Sequence, residues 1–455
     1  MRKGILLLFL LPLCFPPTAC FSQNILSLRE MLQEAEQYYP LLKGQQYLVT
    51  AAKEQLTLAK HEWVPRLDAA AQANLATYNN ITGMSYPGTF LPISGPPSED
   101  NRYKAVPGTA ASLSLVWNPI TFGQRNAYIR TTESRLQEAI ANSENELFQH
   151  QANVINLYLD IMNMQALIDA FEKNIERTAF NLQQISVLVI QGLRPGVDSS
   201  RFSAQLAESR VQLYQLEKSL NQQLIALSRL TGLEDDTMEI RESSFTEILP
   251  SIPSSADTIA HPLINIYQAR VAASESELNQ IRRSWLPRLD FWGTTYARGS
   301  GVDFNGSTEE TNGLGFTRYN YGIGVNVVFP ILDFSHVAIQ SRQQQNLIAY
   351  ETEMLNLTTL NLDKQLLTAE SDLNKSLQIA RQTPLQFRAA NESFNALQTQ
   401  YNEGLIDYAD LIQGQYDLLN AEASLKNSYI EVWKGLLLYA LASGDINVFL
   451  NQINN

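Results

Sequence analysis

The sequence predicts a mixed α/β membrane chain in two tandem repeats, each running helix, strand, strand and long helical hairpin. Four strands are too few to close a barrel, so copies of the chain must pool them. The helices then continue the barrel as a coiled-coil tube. Three observations predict this. The phrase Trp-x-Pro-Arg-Leu-Asp occurs at 63–68 and again at 285–290. The stretches after it alternate apolar and polar residues, as strands with one covered face do. Apolar residues then fall every seventh position over long stretches, the mark of coiled-coil packing.

The N-terminus sets the compartment. Arg2 and Lys3, the apolar run from Ile5 to Phe15 and the small residues before Ser22 read as a secretory signal over 1–22, too short for a spanning helix. The preferred cut follows Ser22. Thr18-Ala19-Cys20 also suits a lipobox, with Pro17 where an aliphatic residue is expected, so Cys20 is a candidate lipidation site. Cys14 and Cys20 are the only cysteines. A chain cut at Ser22 therefore holds no disulfide, cysteine–zinc site or thiol nucleophile.

Of 455 residues, 45% are apolar and only 17% charged, with a formal net charge of −13. The acidic balance and the lack of a basic patch argue against nucleic acid as a partner. Gln, Asn, Ser and Thr stand where Lys and Glu usually do. No segment after the signal offers about eighteen consecutive apolar residues, so a membrane role must use strands.

The first repeat covers 23–232 and the second 259–444. An acidic stretch with Ser and Pro, 233–258, joins them, and 445–455 is a tail. Residues 39–68 match 261–290 without gaps, as at Pro40/Pro262, Gln46/Gln268, Val49/Val271 and Leu56/Leu278. Further on, Gly192-Leu193 matches Gly404-Leu405, Asp198 matches Asp410, and Thr231-Gly232 matches Ser443-Gly444.

Each repeat opens with a helix, over about 25–62 and 260–284. Proline cannot continue the helical ladder and pushes its predecessor towards extended backbone. Trp63, Pro65 and Arg66, and Trp285, Pro287 and Arg288, thus mark helix-to-strand junctions. In the strands that follow, Leu67, Ala69, Ala71, Ala73 and Leu75 oppose Asp68, Gln72 and Asn74, and Leu289 and Phe291 oppose Asp290. Loops span 79–108 and 299–317. Second strands carry Ala111, Leu113, Leu115 and Trp117, and Tyr319, Tyr321, Ile323, Val325, Val327 and Phe329, and end at Pro119 and Pro330.

The hairpins come last. Ile140, Leu147, Val154, Ile161, Ile168, Ile175, Leu182 and Val189 form one seam, and Leu366, Leu373, Ala380, Phe387, Phe394 and Tyr401 another. A helix over about 123–190 spans roughly 100 Å at ~1.5 Å per residue. Gly192 and Gly404 suit left-handed C-caps, and Pro384 is expected to kink its helix.

Lipid requires a closed barrel, and known membrane barrels have at least about eight strands. Two chains would supply eight, three would supply twelve. The plainer alternative is a soluble helical bundle carrying two β-hairpins. The signal and the strand faces favour the barrel.

The doubled phrase, the strand ends Trp117-Asn118-Pro119-Ile120 and Phe329-Pro330-Ile331-Leu332-Asp333, and the Gly-Leu turns together resemble the TolC-like outer-membrane efflux protein family, over nearly all the chain after the signal. The resemblance implies a homotrimer with a twelve-stranded barrel in outer-membrane lipid, continued by a periplasmic helical tunnel. It implies a periplasmic adaptor and a proton-driven inner-membrane pump as partners, and passive conduction without a cofactor or catalysis. Residues 401–413 match the family's periplasmic tip. By that match Tyr401 helps to hold the closed state and Asp410 forms one of two acidic constriction rings. Gln413 stands where the second aspartate would be, and Ile406 where an arginine can sit. Gly192, Leu193, Gly404 and Leu405 are candidate adaptor contacts, with plain C-capping as the alternative.

The exit duct of a type I secretion system fits the same sequence. From another class, so does a periplasmic coiled-coil scaffold or adhesin without a pore. His61, His150, His261 and His336 are scattered, and no HExxH, GxSxG, phosphate-binding loop or Rossmann fingerprint occurs, so an enzyme is the least expected reading.

Overall fold

The computed structural model describes residues 27–80, 97–98, 100–233, 240, 244–252, 261–309 and 312–453. The signal 1–22, the cut at Ser22 and Cys20 lie outside the described residues, as do parts of the 79–108 and 299–317 loops, most of the 233–258 joining stretch and the last two residues of the tail. In chain order the elements are α1 (Leu28–Tyr38), α2 (Pro40–His61), β1 (Arg66–Ala76), β2 (Val106–Ile120), α3 (Gln124–Ile190), α4 (Gly196–Thr231), α5 (Ser244–Glu247), α6 (Pro262–Arg283), β3 (Arg288–Ser300), β4 (Arg318–Val328), α7 (Asp333–Asn402), α8 (Tyr408–Ser443) and α9 (Asn447–Leu450).

The single helix expected over 25–62 is two helices. Tyr39 is extended (φ −63°, ψ 119°) and closes α1, because Pro40 behind it disfavours helical backbone. Pro40 then opens α2 as Pro262 opens α6, where a missing N–H costs nothing. The extra helix α1 starts at a reciprocal cap between Ser27 and Glu30.

Contacts divide the chain into two compact units, each drawing on both halves of the sequence. One comprises Gly44–Glu146 and Ile259–Asn361. It holds one antiparallel sheet in the order β1-β2-β3-β4. Register brings the apolar positions onto one face: Leu67 beside Leu115, Leu115 beside Gly293, Gly293 beside Ile323, and Trp117 beside Phe291 beside Val325. In the single chain this face is open, with Leu67 65%, Tyr321 88% and Ile323 85% exposed. On the other face the Trp292 indole lies over two glycines of β4. A Cβ at Gly324 would meet it at 2.6 Å and one at Gly322 at 3.3 Å. Pro119, expected to end its strand, instead sits in a register shift between Trp117 and Ile120, where its missing N–H leaves no ladder bond unmade.

The other unit comprises Met1–Lys43, Leu147–Thr258 and Leu362–Asn455. Its larger apolar cluster joins α1, α3, α4, α7 and α8 around Tyr158, Leu227, Leu373 and Trp433. Two segments read from sequence as joiner and tail are packed into it. Phe245 and Phe449 are fully buried and flank Trp433 edge-on at 4.9 and 5.8 Å. The Trp433 indole N–H donates to the Ile248 carbonyl at 3.1 Å. A smaller cluster of Ile185, Phe202, Phe394, Tyr401, Leu411 and Leu418 lies near the helix turns.

Between these clusters the buried seam of α3 turns polar. Ile168 and Ile175 are half-buried, whereas Asn174, Thr178 and Asn181 are buried. Asn174 donates to Ser209 at 3.3 Å and accepts from Gln415 at 2.9 Å, and Gln398 donates to Asn181 at 3.2 Å. Such a layer specifies helix register at a cost in stability.

Candidate functional site

The two helical hairpins turn by the same local mechanism. Gly192 (φ 74°) and Gly404 (φ 75°) are left-handed. After them the amide of Leu193 bonds to Leu188 O at 2.9 Å and that of Leu405 to Gln400 O at 2.9 Å, the Schellman closure of a helix end. The closure throws both leucines outward, Leu193 67% and Leu405 74% exposed. Asp407 caps α8 by accepting from the amides of Ala409 and Asp410 at 2.9 and 3.2 Å.

Tyr401 faces inward. Its side chain is buried (3% exposed), meets Phe202 edge-on at 6.3 Å and carries the Arg194 guanidinium over its ring at 4.7 Å. Burial pushes its pKa up, and the neighbouring Asp198 carboxylate adds to the rise. Burial likewise pushes Tyr408 up to about 12.

Asp410 and Gln413 are exposed on α8, whereas Tyr401 is buried. Gln413 donates to Asp417 at 2.9 Å. The three residues that the tip match singles out are therefore not one cluster: Tyr401 belongs to the interior of the tip, Asp410 and Gln413 to its surface. Spacing alone did not single out Arg194, Arg201 or Phe202. The available signal was the seven-residue interval from Arg194 to Arg201, equal to that from Tyr401 to Tyr408, and it does not reach Phe202.

At the other candidate site, the phrase performs the switch expected of it. Helix α2 ends at His61 and β1 starts at Arg66; α6 ends at Arg283 and β3 starts at Arg288. Arg and Asp stand two apart on one strand face, so each copy closes its own ion pair, Arg66–Asp68 at 2.8 Å and Arg288–Asp290 at 3.4 Å. The Trp117 indole donates to the Trp63 carbonyl at 2.7 Å, and Trp285 packs edge-on against Phe329 at 6.0 Å. Asp290 also accepts from Asn118 at 2.6 Å. The Gln124 side chain donates to Leu286 O at 2.5 Å, tying α3 to the second phrase.

Among the described residues no helix is long and apolar enough to cross a membrane, and no group of three or more His, Cys, Asp or Glu side chains could hold a metal ion.

The outer membrane efflux protein family matches residues 31–233 and 259–428. The chain belongs to this family. The efflux protein is 22% identical over 361 residues to the outer membrane protein TolC of Escherichia coli, covering 74% of this chain and 70% of that one. Its fold is that of the outer membrane protein VceC of Vibrio cholerae (TM-score 0.71, 16% identity, 92% of this chain and 96% of that one). It is equally that of the CmeC outer membrane channel of Campylobacter jejuni (TM-score 0.74, 14% identity, 94% and 89%). The efflux protein is thus an outer-membrane duct with its helical tunnel in the periplasm, and not an enzyme.

Proposed function

We propose that the chain forms the exit duct of a tripartite pump, passively conducting substrates from a periplasmic adaptor and a proton-driven inner-membrane pump to the exterior. In this reading it is a homotrimer of two-repeat protomers. One observation carries it: a four-stranded meander whose edges, β1 and β4, have no further strand partner among the described residues of the single chain, and one apolar face left open. Unpaired edges in lipid are prohibitive. Joining β1 of one copy to β4 of the next removes every edge, and three copies give twelve strands. The apolar face then meets outer-membrane lipid and the Asn- and Gly-bearing face meets water. Trp63 and Trp285, with Arg66 and Arg288, suit the lipid–water interface at the junction.

At the periplasmic end Asp410 forms the acidic ring of the entrance, with Gln413 in place of a second carboxylate. Carboxylates converging on an axis favour cations over anions. Gly192, Leu193, Gly404 and Leu405 are the adaptor contacts.

The test is single-channel conductance in a planar bilayer, for wild type and Asp410→Ala, with a trivalent cation on the periplasmic side. Cation-selective currents blocked in wild type alone are expected. Equal block in both variants moves the constriction elsewhere, and folded protein without pores overturns the duct.

A further inference from the structure

The seam between α3 and α6 is polar and, along much of its length, paired. Arg135 meets Glu277 at 3.6 Å and Arg270 meets Glu138 at 3.4 Å, and the Ser134 and Ser276 hydroxyls lie 2.8 Å apart. At the end nearest the second Trp-x-Pro-Arg-Leu-Asp the pairing stops. A cavity of about 180 Å³ opens there, lined by Gly123, Asn126, Arg130, Ser276, Asn279 and Arg283. Two guanidiniums line it and no carboxylate does. Among the described residues neither guanidinium has an ion-pair or hydrogen-bond partner. The Gln124 side chain already serves carbonyls just past the end of α6, Ser284 at 3.4 Å and Leu286 at 2.5 Å, so Arg283 does not cap that helix. It lies against Gly123 instead. Gly123 is left-handed (φ 95°), and a Cβ on it would collide with Arg283 Nη1. The first turn of α3 carries no acidic residue, so no side chain of that turn offsets the positive charge around the cavity.

We infer that this cavity is a phosphate-binding site, in which Arg130 and Arg283 hold the phosphodiester of an anionic phospholipid. This rests on the duct reading, which sets the helix-to-strand phrase at the lipid–water boundary. Arg283 stands two residues before Trp285, at the level where that reading puts the headgroups of the periplasmic leaflet. A guanidinium offers a phosphate two parallel N–H donors. Asn126, Asn279 and Ser276 supply uncharged donors and acceptors for the rest of the headgroup. Basic pockets between helices at a membrane edge suit such headgroups. Helix α2 likewise ends in cations, Lys60 and His61, so positive charge gathers at both junctions of a protomer. A lipid held between α3 and α6 would fix the depth at which the barrel sits in the membrane.

The experiment incubates the purified protein in detergent with phosphatidylglycerol and counts retained lipid by native mass spectrometry. Wild type is compared with Arg130→Gln/Arg283→Gln and with Arg210→Gln/Lys218→Gln, which removes the same charge from exposed positions of α4. Wild type and the α4 pair are expected to retain the lipid, and the Arg130/Arg283 pair to retain severalfold less. Equal retention in all three overturns the site, and equal loss in both pairs reduces it to general charge attraction. Inorganic phosphate is the second arm. Retention that survives it supports the lipid, whereas displacement by phosphate overturns the lipid and leaves a soluble phosphate as the ligand. The single variants Arg130→Gln and Arg283→Gln, each expected to retain less than wild type, serve if the pair lowers the unfolding midpoint. Retention in detergent needs no pore. A chain that conducts nothing yet keeps the lipid loses the duct and not the site, and a conducting chain that keeps none loses the site alone.

Discussion

The imidazole of His150 lies flat on the ring of Tyr39, centroids 4.3 Å apart and planes 12° from parallel. The stack docks the end of α1 onto α3. His150 is buried (4% exposed) and its Nε2 has no hydrogen-bond partner. Burial therefore holds its pKa below the ordinary 6.5, against smaller raising effects from the Ala35 backbone and Glu36. Above 6.5 both folded and unfolded chains carry neutral imidazole. Below it the unfolded chain takes up the proton first, so stability falls with pH until the lower folded value is reached. Thermal unfolding followed from pH 8 to pH 5 is expected to show a midpoint that drops below about 6.5. His150→Phe, which keeps the stack, should flatten that drop.

Pro384 sits inside α7 without breaking it, yet it has no N–H for the carbonyl of Ala380. The Thr383 hydroxyl lies 3.3 Å from that carbonyl and 2.8 Å from the Ser428 hydroxyl on α8, in a buried setting. Thr383→Val is isosteric and strands the carbonyl, at a cost of about 1–3 kcal/mol. In a Pro384→Ala background the restored amide serves Ala380, so the same substitution should cost less. Denaturant midpoints of the four variants measure this coupling, and strict additivity would refute it.

Strand propensity and packing disagree at Gly324. Valine favours strands over glycine by up to about 1 kcal/mol, but a Cβ there would stand 2.6 Å from the Trp292 ring. Gly324→Val is expected to lower the unfolding midpoint and shift tryptophan fluorescence. Adding Trp292→Ala should recover much of the loss.

The outward leucines of the turns are the predicted adaptor contacts. Leu193→Glu or Leu405→Glu replaces an exposed apolar tip by charge and removes nothing from the core. Both variants should fold and reach the outer membrane while drug resistance falls to that of a deletion strain. Normal resistance would place docking elsewhere.

The sequence by itself determined where helix yields to strand, because proline acts through its own and its neighbour's backbone. It determined the hairpin turns for the same reason, since only glycine takes left-handed backbone without strain. Period-two and seven-residue patterns then located the strands and long helices, as these patterns are properties of one element at a time. The same proline rule applies at Tyr39-Pro40, but there the apolar pattern continues across the break and masks it. Other features needed the fold. Phe245 and Phe449 become core only when Trp433 is brought between them. The apolar seam of α3 yields to Asn174 and Asn181 because Gln415 and Gln398, from distant helices, donate to them. Tyr401 and Asp410 share one short motif, but the tip buries the first and exposes the second. Arg194 meets Tyr401 across 207 residues of chain, and no spacing rule reaches that far. Local backbone chemistry is written in neighbouring residues, whereas burial and partnership depend on which distant side chains the packing brings together.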